Sequence, residues 1–266
     1  MTVSSAEHAE VCVPVLQGLW DHVRAGQEDI LRSPVLPAVC AFLTHVLLCA
    51  PFFALDALGS VCHRVRSWRI PSGPGRPPSV RRWLDCFWRV LGKYLSTVLP
   101  VTALFQTLRS PTLPELAPTC WQLFVEILAC FLVFDTLFFV WHFYMHRIPW
   151  LYRNIHQFHH QHKVPFALAA QDASSVELLS LLLLALVSSW VVGCHPLSEA
   201  LFHILNSWLA VEDHCGYDLP FALHRLLPCL GGAPYHQAHH SHHNGNYAPY
   251  FTHWDRLCGT YTASGV

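Results

Sequence analysis

The sequence predicts an all-α protein: a multi-pass membrane helical bundle with a cytoplasm-facing, histidine-rich site for two metal ions. Three observations carry this. The 266 residues are 53% hydrophobic and only 12% charged, whereas a soluble domain averages about 25% charged residues. The apolar residues fall in runs long enough to span a hydrocarbon core of roughly 30 Å as helices. Finally, eight of the 20 histidines fall in three tight clusters beyond the ends of those runs. The net charge of −1 gives no case for nucleic acid, which calls for a basic footprint.

The chain divides into a polar N-terminal segment (1–33), a region of two transmembrane helices joined by a basic loop (34–118), and a C-terminal region holding every cluster (119–266). Glu7, His8 and Glu10 stand where a secretory signal would be basic, so no cleavable signal peptide is expected. Residues 16–32 have the pattern of an amphipathic surface helix. Residues 34–58 form the first span, with Pro51 as the expected kink. Residues 59–83 carry Arg64, Arg66, Arg69, Arg76, Arg81 and Arg82 around PSGPGRPP, a string that excludes regular helix. Positive charge marks cytoplasmic loops, so this loop is placed there.

A second apolar helix is expected over 84–108, with Arg89 and Lys93 snorkelling to the same interface. The Pro-rich turn RSPTLPELAP (109–118) is then lumenal. Residues 119–141 are the third span, and its ionisable Glu126 and Asp135 are functional-site candidates. Asp135 shares a helix face with His142 but lies two turns before it, too far along the axis to bond it. A fourth hydrophobic stretch, 176–194, is broken by His195-Pro196, and 197–211 is apolar but short. We read 176–211 as a helical hairpin that enters and returns, whether or not it crosses fully. It brings Glu212, Asp213, His214 and the last cluster back to the cytoplasmic side. The eleven cysteines are scattered, odd in number and without a CxxC pair, a distribution that suits buried small hydrophobes better than a disulfide framework.

The clusters read HFYMH (His142, His146), HQFHH (His156, His159, His160) and HQAHH (His236, His239, His240). In a helix, positions i, i+3 and i+4 share one face, so each cluster aims its imidazoles one way. Eight imidazoles on three cytoplasmic segments suit two metal ions, and His214 is a ninth candidate. Neutral imidazole serves Fe, Zn, Cu or Ni equally at this level. The clusters contain no carboxylate, unlike soluble di-iron bundles, so an outer shell of carboxylates is expected from Glu177, Glu212, Asp213 and Asp255. His242 and His243 are possible extra ligands or outer contacts, as is Asp255. His162, His195, His224 and His253 are read as surface or capping residues.

In this order the three clusters resemble the histidine boxes of the fatty acid hydroxylase and sterol desaturase superfamily. The tail NYAPYFTHWDRLCGTY (246–261) is similar to that family's closing signature, and EDHCGYDLP (212–220) to the segment that supplies a further histidine, here His214. The likeness extends upstream through QGLWDHVRAGQEDILRSPVLP to the branch of sterol side-chain hydroxylases. The resemblance implies a multi-pass endoplasmic reticulum enzyme with a non-haem diiron centre. It implies insertion of one oxygen atom from O₂ into a sterol side chain, most closely cholesterol at C25, with electrons from NADPH through a reductase or cytochrome b5. It also implies that the eight box histidines are the iron ligands and that residues 119–266 are the catalytic domain. The added His243 in SHHNGN (241–246) departs from the pattern.

Other readings remain. The same boxes serve sterol C4-methyl oxidation, desaturation or fatty-acyl hydroxylation. A metal transporter would instead place ligands inside spans along a path, whereas these clusters sit beyond span ends. A sterol-binding regulator without catalysis is the third class, and the intact boxes argue against it.

Overall fold

The structure, a computed structural model, describes residues 16–71, 77–109 and 112–263. The stretch bearing on a signal peptide, the centre of PSGPGRPP with Arg76, and the last three residues lie outside the described residues. Among the described residues the regular structure is helical, with two isolated bridges, Arg69–Tyr217 and Leu230–Phe251.

Helix α1 (Leu36–Val61) contains Pro51 without ending there. Helix α2 (Val80–Lys93) starts at Ser79, whose hydroxyl accepts from the Arg82 N–H at 3.3 Å. It continues through a π-helical turn (Tyr94–Val98) into α3 (Leu99–Arg109). Pro100 accounts for that turn. It has no N–H for the carbonyl four residues back and its ring crowds that carbonyl, and a wider turn absorbs the lost register.

Residues 80–109 thus correspond to the helix expected over 84–108, but as a bent track. Among the described residues, three helices are long and apolar enough to cross a membrane, and they are α1, α4 (Cys120–Arg147) and α5 (Ser175–Val192). The 80–109 track is divided by its π turn into pieces of 14, 5 and 11 residues, none of that length, and α2 is amphipathic. Trp83, Cys86 and Val90 are buried on one side, while Arg81, Asp85 and Trp88 are exposed.

Thr119 caps α4, its hydroxyl accepting from Gln122 N–H at 3.1 Å. Helix α5 stops at Gly193, where φ is +70°, a left-handed turn that glycine adopts without steric cost. Pro196 starts α6 (Pro196–Asp213), and the His195 ring caps it by accepting from Leu197 N–H at 3.0 Å. The expected hairpin is therefore α5–α6. Helix α6 packs against α1, α4 and α7 (Gly232–His242), and α5 lies along α4. The predicted N-terminal surface helix is split, because the chain turns at Gly26 (φ +67°) between residues 16–24 and Glu28–Leu31. Its first half docks on the Pro-rich turn, with Trp20 Nε1–H donating to the Pro114 carbonyl at 2.8 Å.

Two larger apolar cores hold these helices, beside a small third one of Phe139, Tyr247 and Ala248 between α4 and the tail. One joins α1, α2 and the 166–173 segment through Cys49, Phe52, Trp83, Val90 and Phe166. The other joins α4, α5, α6 and the tail through Phe131, Phe134, Ala185, Phe202 and Tyr250. Beside the first core, buried Asp56 accepts from Arg69 at 2.9 Å, Trp83 Nε1–H at 3.0 Å and the Tyr217 hydroxyl at 2.8 Å. This ties the basic loop to α1. The outer faces expose Leu47, Leu132, Leu183 and Trp190, a spread of large apolar groups that suits lipid contact.

Candidate metal centre

The last turns of α4 carry His142 and His146 on one face. Ile148-Pro149 then ends the helix, and the second cluster follows on turns that are not α-helical. His156 closes a π-helical turn (Tyr152–His156), and His159 and His160 open a 3₁₀ turn (His159–Gln161). The expected single face for His156, His159 and His160 is thereby broken, and His159 swings away from the other two. Helix α7 carries the third cluster, with His236 and His240 one turn apart and His239 beside them. His214 caps the end of α6.

These segments bring the nine imidazoles into two groups. The first is His142, His146, His156, His160 and His239; the second is His159, His214, His236 and His240. Within each, the ligating atoms all lie within 4.8 Å of one another. Eight of the nine rings are buried and His146 is half-buried.

The Nε2 atoms face inward. In the first group they stand 3.0 Å apart for His142–His156, 2.9 Å for His156–His160 and 3.2 Å for His160–His239. In the second they stand 3.1 Å apart for His159–His214, 3.0 Å for His214–His236 and 3.1 Å for His236–His240. Several Nδ1 atoms face outward and donate elsewhere. His142 donates to the Tyr247 carbonyl at 2.7 Å, His214 to the Ala210 carbonyl at 2.7 Å and His239 to the Gly245 carbonyl at 2.8 Å. His156 donates to Glu177 Oε1 at 2.9 Å.

A neutral imidazole has one N–H. Once Nδ1 carries it, Nε2 is a lone pair, and lone pairs converging at this distance repel unless a cation sits among them. Protonation is a poor remedy. Burial first, and neighbouring imidazoles second, hold His159, His236 and His240 well below the ordinary histidine value. Burial likewise lowers His214 and His239 to about 4. The spacing suits a metal instead, since ligands at right angles on metal–nitrogen bonds of about 2.0–2.1 Å stand about 2.9 Å apart. Buried His146 Nε2 has no hydrogen-bond partner among the described residues, as a metal-directed nitrogen would not.

Of the four carboxylates expected behind the ligands, Glu177 alone touches one of these histidines. Ser174 caps α5 by accepting from Glu177 N–H at 3.2 Å, which leaves the Glu177 carboxylate free to reach His156. Asp255 acts one step removed. It accepts from Tyr247 N–H at 2.9 Å, Ala248 N–H at 2.7 Å, Thr260 Oγ1–H at 2.6 Å and the Tyr235 hydroxyl. It thereby fixes the peptide whose carbonyl receives His142. Asp135 accepts from the Tyr250 and Phe251 N–H groups at 3.1 and 3.0 Å, so it anchors the tail. Glu212 and Asp213 touch no ligand candidate and line a small void with His224, Gly232 and Tyr250.

His242 is exposed and bonds the Ala238 carbonyl of its own helix at 3.0 Å. His243 ends α7 with φ +62° and meets the Tyr152 hydroxyl at 3.2 Å. Neither they nor Asp255 joins either group. His195 is a cap as expected, His224 pairs with Asp218 at 3.0 Å, and His253 is half-buried 4.0 Å from Asp135.

A third cluster, Cys86, His162 and Asp172, escaped the sequence reading and corrects the placing of His162 at the surface. Asp172 accepts from Arg89 at 2.6 Å and from His162 at 2.8 Å, and Arg82 reaches His162 at 3.1 Å. Burial raises the Asp172 carboxyl, but His162 and Arg89 outweigh it and hold it at about 2. With two guanidiniums in place this cluster is a charge-paired strut between α2 and the 166–173 segment.

Nine inward imidazoles at the end of an apolar helical bundle define a class. The chain belongs to the fatty acid hydroxylase family, whose model matches residues 127–260, the stretch that contains all nine. Its relatives narrow the likeness. It is 44% identical over 253 residues to human cholesterol 25-hydroxylase, covering 94% of this chain and 92% of that one. It is 45% identical over 249 residues to the mouse cholesterol 25-hydroxylase, covering 92% and 82%. A zebrafish cholesterol 25-hydroxylase-like protein is 41% identical over 247 residues, covering 92% and 97%. No solved structure matches.

Proposed function

We propose that this protein is a membrane sterol hydroxylase that forms 25-hydroxycholesterol from cholesterol, NADPH and O₂. The observation that carries the reading is the pair of inward-facing imidazole groups in a chain 44% identical to a cholesterol 25-hydroxylase over 94% of its length. His142, His146, His156, His160 and His239 would hold one iron, and His159, His214, His236 and His240 the other. Bound there, an iron pair supplies the O₂ activation that no side chain provides for an unactivated C–H bond. The chain's own part is threefold. Glu177 and the Tyr247, Ala210 and Gly245 carbonyls hold His156, His142, His214 and His239 with Nε2 inward. The buried rings and their packed surroundings exclude water. The apolar outer faces of α4 and α5 leave a sterol free to approach from the bilayer.

The orientation follows from charge. Exposed Arg64, Arg66, Arg147, Arg153 and Lys163 support a cytoplasmic imidazole end, and the likeness to the sterol hydroxylases supports an endoplasmic reticulum membrane, with electrons from a reductase or cytochrome b5. Residues 119–266 are the catalytic portion, and residues 34–118 brace it. The groups sit together at one end rather than along a path, which disfavours a metal transporter.

The test is to express the chain in cells lacking related hydroxylases, feed labelled cholesterol and analyse lipid extracts by gas chromatography–mass spectrometry. A 25-hydroxysterol that disappears with His159→Ala is the expected result. No oxysterol from an iron-loaded protein would move the substrate to sterol C4-methyl groups or an acyl lipid. A tag after Val266 should be cleaved by protease added to the cytoplasmic side of intact microsomes.

A further inference from the structure

At the opposite end of the bundle, two thiols from separate elements meet. Cys130, fully buried in α4, has its Sγ 3.0 Å from that of Cys194, in the turn between α5 and α6. The residues are 64 apart in sequence. Both stand as free thiols here, and the contact is closer than two unbonded sulfurs normally rest. The turn is held by α4, the Pro-rich turn and α3. Glu126 on α4 accepts from His195 N–H at 3.1 Å, His195 Nε2 reaches the Leu116 carbonyl at 3.1 Å, and Glu199 pairs with Arg109 at 2.7 and 3.0 Å. The contact is therefore set by the frame around it.

This end also carries a disulfide already. Cys120, the first residue of α4, is disulfide-bonded, a departure from the reading of the scattered cysteines as buried small hydrophobes. Disulfides form and persist in oxidising compartments such as the reticulum lumen. In the orientation proposed above, on which this inference rests, the imidazole end faces the cytoplasm and Cys194 lies on the lumenal side.

We propose that Cys130 and Cys194 become a second disulfide, bolting the tip of the α5–α6 hairpin to α4. The oxidant is a protein disulfide of a lumenal thiol oxidoreductase. Cys194, the partly exposed partner, attacks that disulfide as thiolate, forming a mixed disulfide and releasing one carrier thiol. Cys130 then attacks the Cys194 sulfur, forming the intramolecular S–S bond and releasing the second carrier thiol. Two protein thiols lose two electrons and two protons, and the carrier's disulfide becomes a dithiol. The bond would fix the far end of the two helices that carry Glu177 and His214 at the imidazole end.

The experiment uses the full chain in microsomes. Membranes are quenched in acid, blocked with N-ethylmaleimide without reductant, digested and analysed by mass spectrometry. The expected product is a peptide pair linking Cys130 to Cys194, lighter than the two thiol peptides by two hydrogens and lost on reduction. It should vanish in Cys130→Ser and in Cys194→Ser. Both wild-type cysteines carrying N-ethylmaleimide without prior reduction would overturn the proposal, as would either one linked elsewhere. The wild-type measurement decides even if a serine variant fails to accumulate. It is independent of sterol turnover, so it stands or falls separately from the proposed function, and the C-terminal tag reports separately on orientation.

Discussion

Helices α4, α5 and α6 end in two different kinds of polar arrangement. At the hairpin tip the charged groups meet protein partners: Arg109 pairs with Glu199, and Glu126 receives His195 N–H. At the other end four of the imidazoles, His142, His156, His214 and His239, are anchored on their outward side, while the inward Nε2 atoms crowd together 2.9 to 3.2 Å apart. A buried polar group without a partner costs free energy, so a fold tolerates such a concentration only where something else supplies the partner. The difference teaches where to look. Ionisable residues alone do not mark the site, since Glu126 and Asp135 lie within a span and are structural. Convergence of many buried imidazole nitrogens, several of them anchored from outside, does.

The largest expected effect comes from removing an inward nitrogen. His240→Ala should abolish turnover and lower iron per protein, measured by oxysterol yield and by metal analysis, while the protein still inserts. Undiminished iron would break the grouping of His240 with His159, His214 and His236. Next comes the outward anchor. Glu177→Ala should reduce activity or metal affinity about 10- to 100-fold, the usual effect of losing a carboxylate behind a metal-bound histidine. Glu177→Gln keeps an acceptor for His156 and should fall between the alanine variant and wild type. Equal losses in both would show that the negative charge, rather than the hydrogen bond, is what His156 needs.

A purely structural counterpart sharpens the contrast. Arg69 and Asp56 are paired with side chains 7% and 2% exposed. Arg69→Leu leaves that carboxylate buried without its cation, which costs about 3–5 kcal/mol for pairs of this kind. The Trp83 and Tyr217 donors remain, which favours the lower figure. Thermal unfolding in detergent should show a clear drop in Tm, with iron content per folded protein unchanged. Loss of iron at low temperature would mean that the basic loop reaches the imidazole end more directly than its contacts suggest.

Legibility followed periodicity. The spacing within each cluster, and its position past the end of an apolar run, were open to reading because helical repeat and hydropathy are local properties. The partition into two groups was not, because it depends on His156 lying in a π turn and His159 in a 3₁₀ turn, and no residue pattern there announces a departure from α-helix. The acceptors behind the rings were hidden for another reason. The Tyr247 carbonyl that receives His142 lies 105 residues away and is backbone, so no side chain signals it. Glu177 was legible, since Ser174 three residues before it is a capping pair in plain view. The 84–108 stretch was legible as helix, but its average hydropathy conceals the amphipathic face of α2. The Asp172 strut was missed because two of its partners, Cys86 and Arg89, come from α2, more than 80 residues earlier.

The smallest expected effect is the most discriminating. His242 lies two residues from His240 in the same histidine-rich string, and the sequence admits it as a ligand or outer contact. The structure separates them by the turn of α7. His240 is fully buried with Nε2 3.1 Å from His236, whereas His242 is exposed and bonds the Ala238 carbonyl. That bond is one turn of the same helix, beside water that can replace it. His242→Ala should therefore leave turnover and iron content at wild-type levels and move stability by no more than about 0.5 kcal/mol. Alanine's better helix propensity pushes even that change toward stabilisation. A loss of iron like that of His240→Ala would mean that α7 turns differently in the loaded protein. The division into five and four would then have to be redrawn with His242 in it.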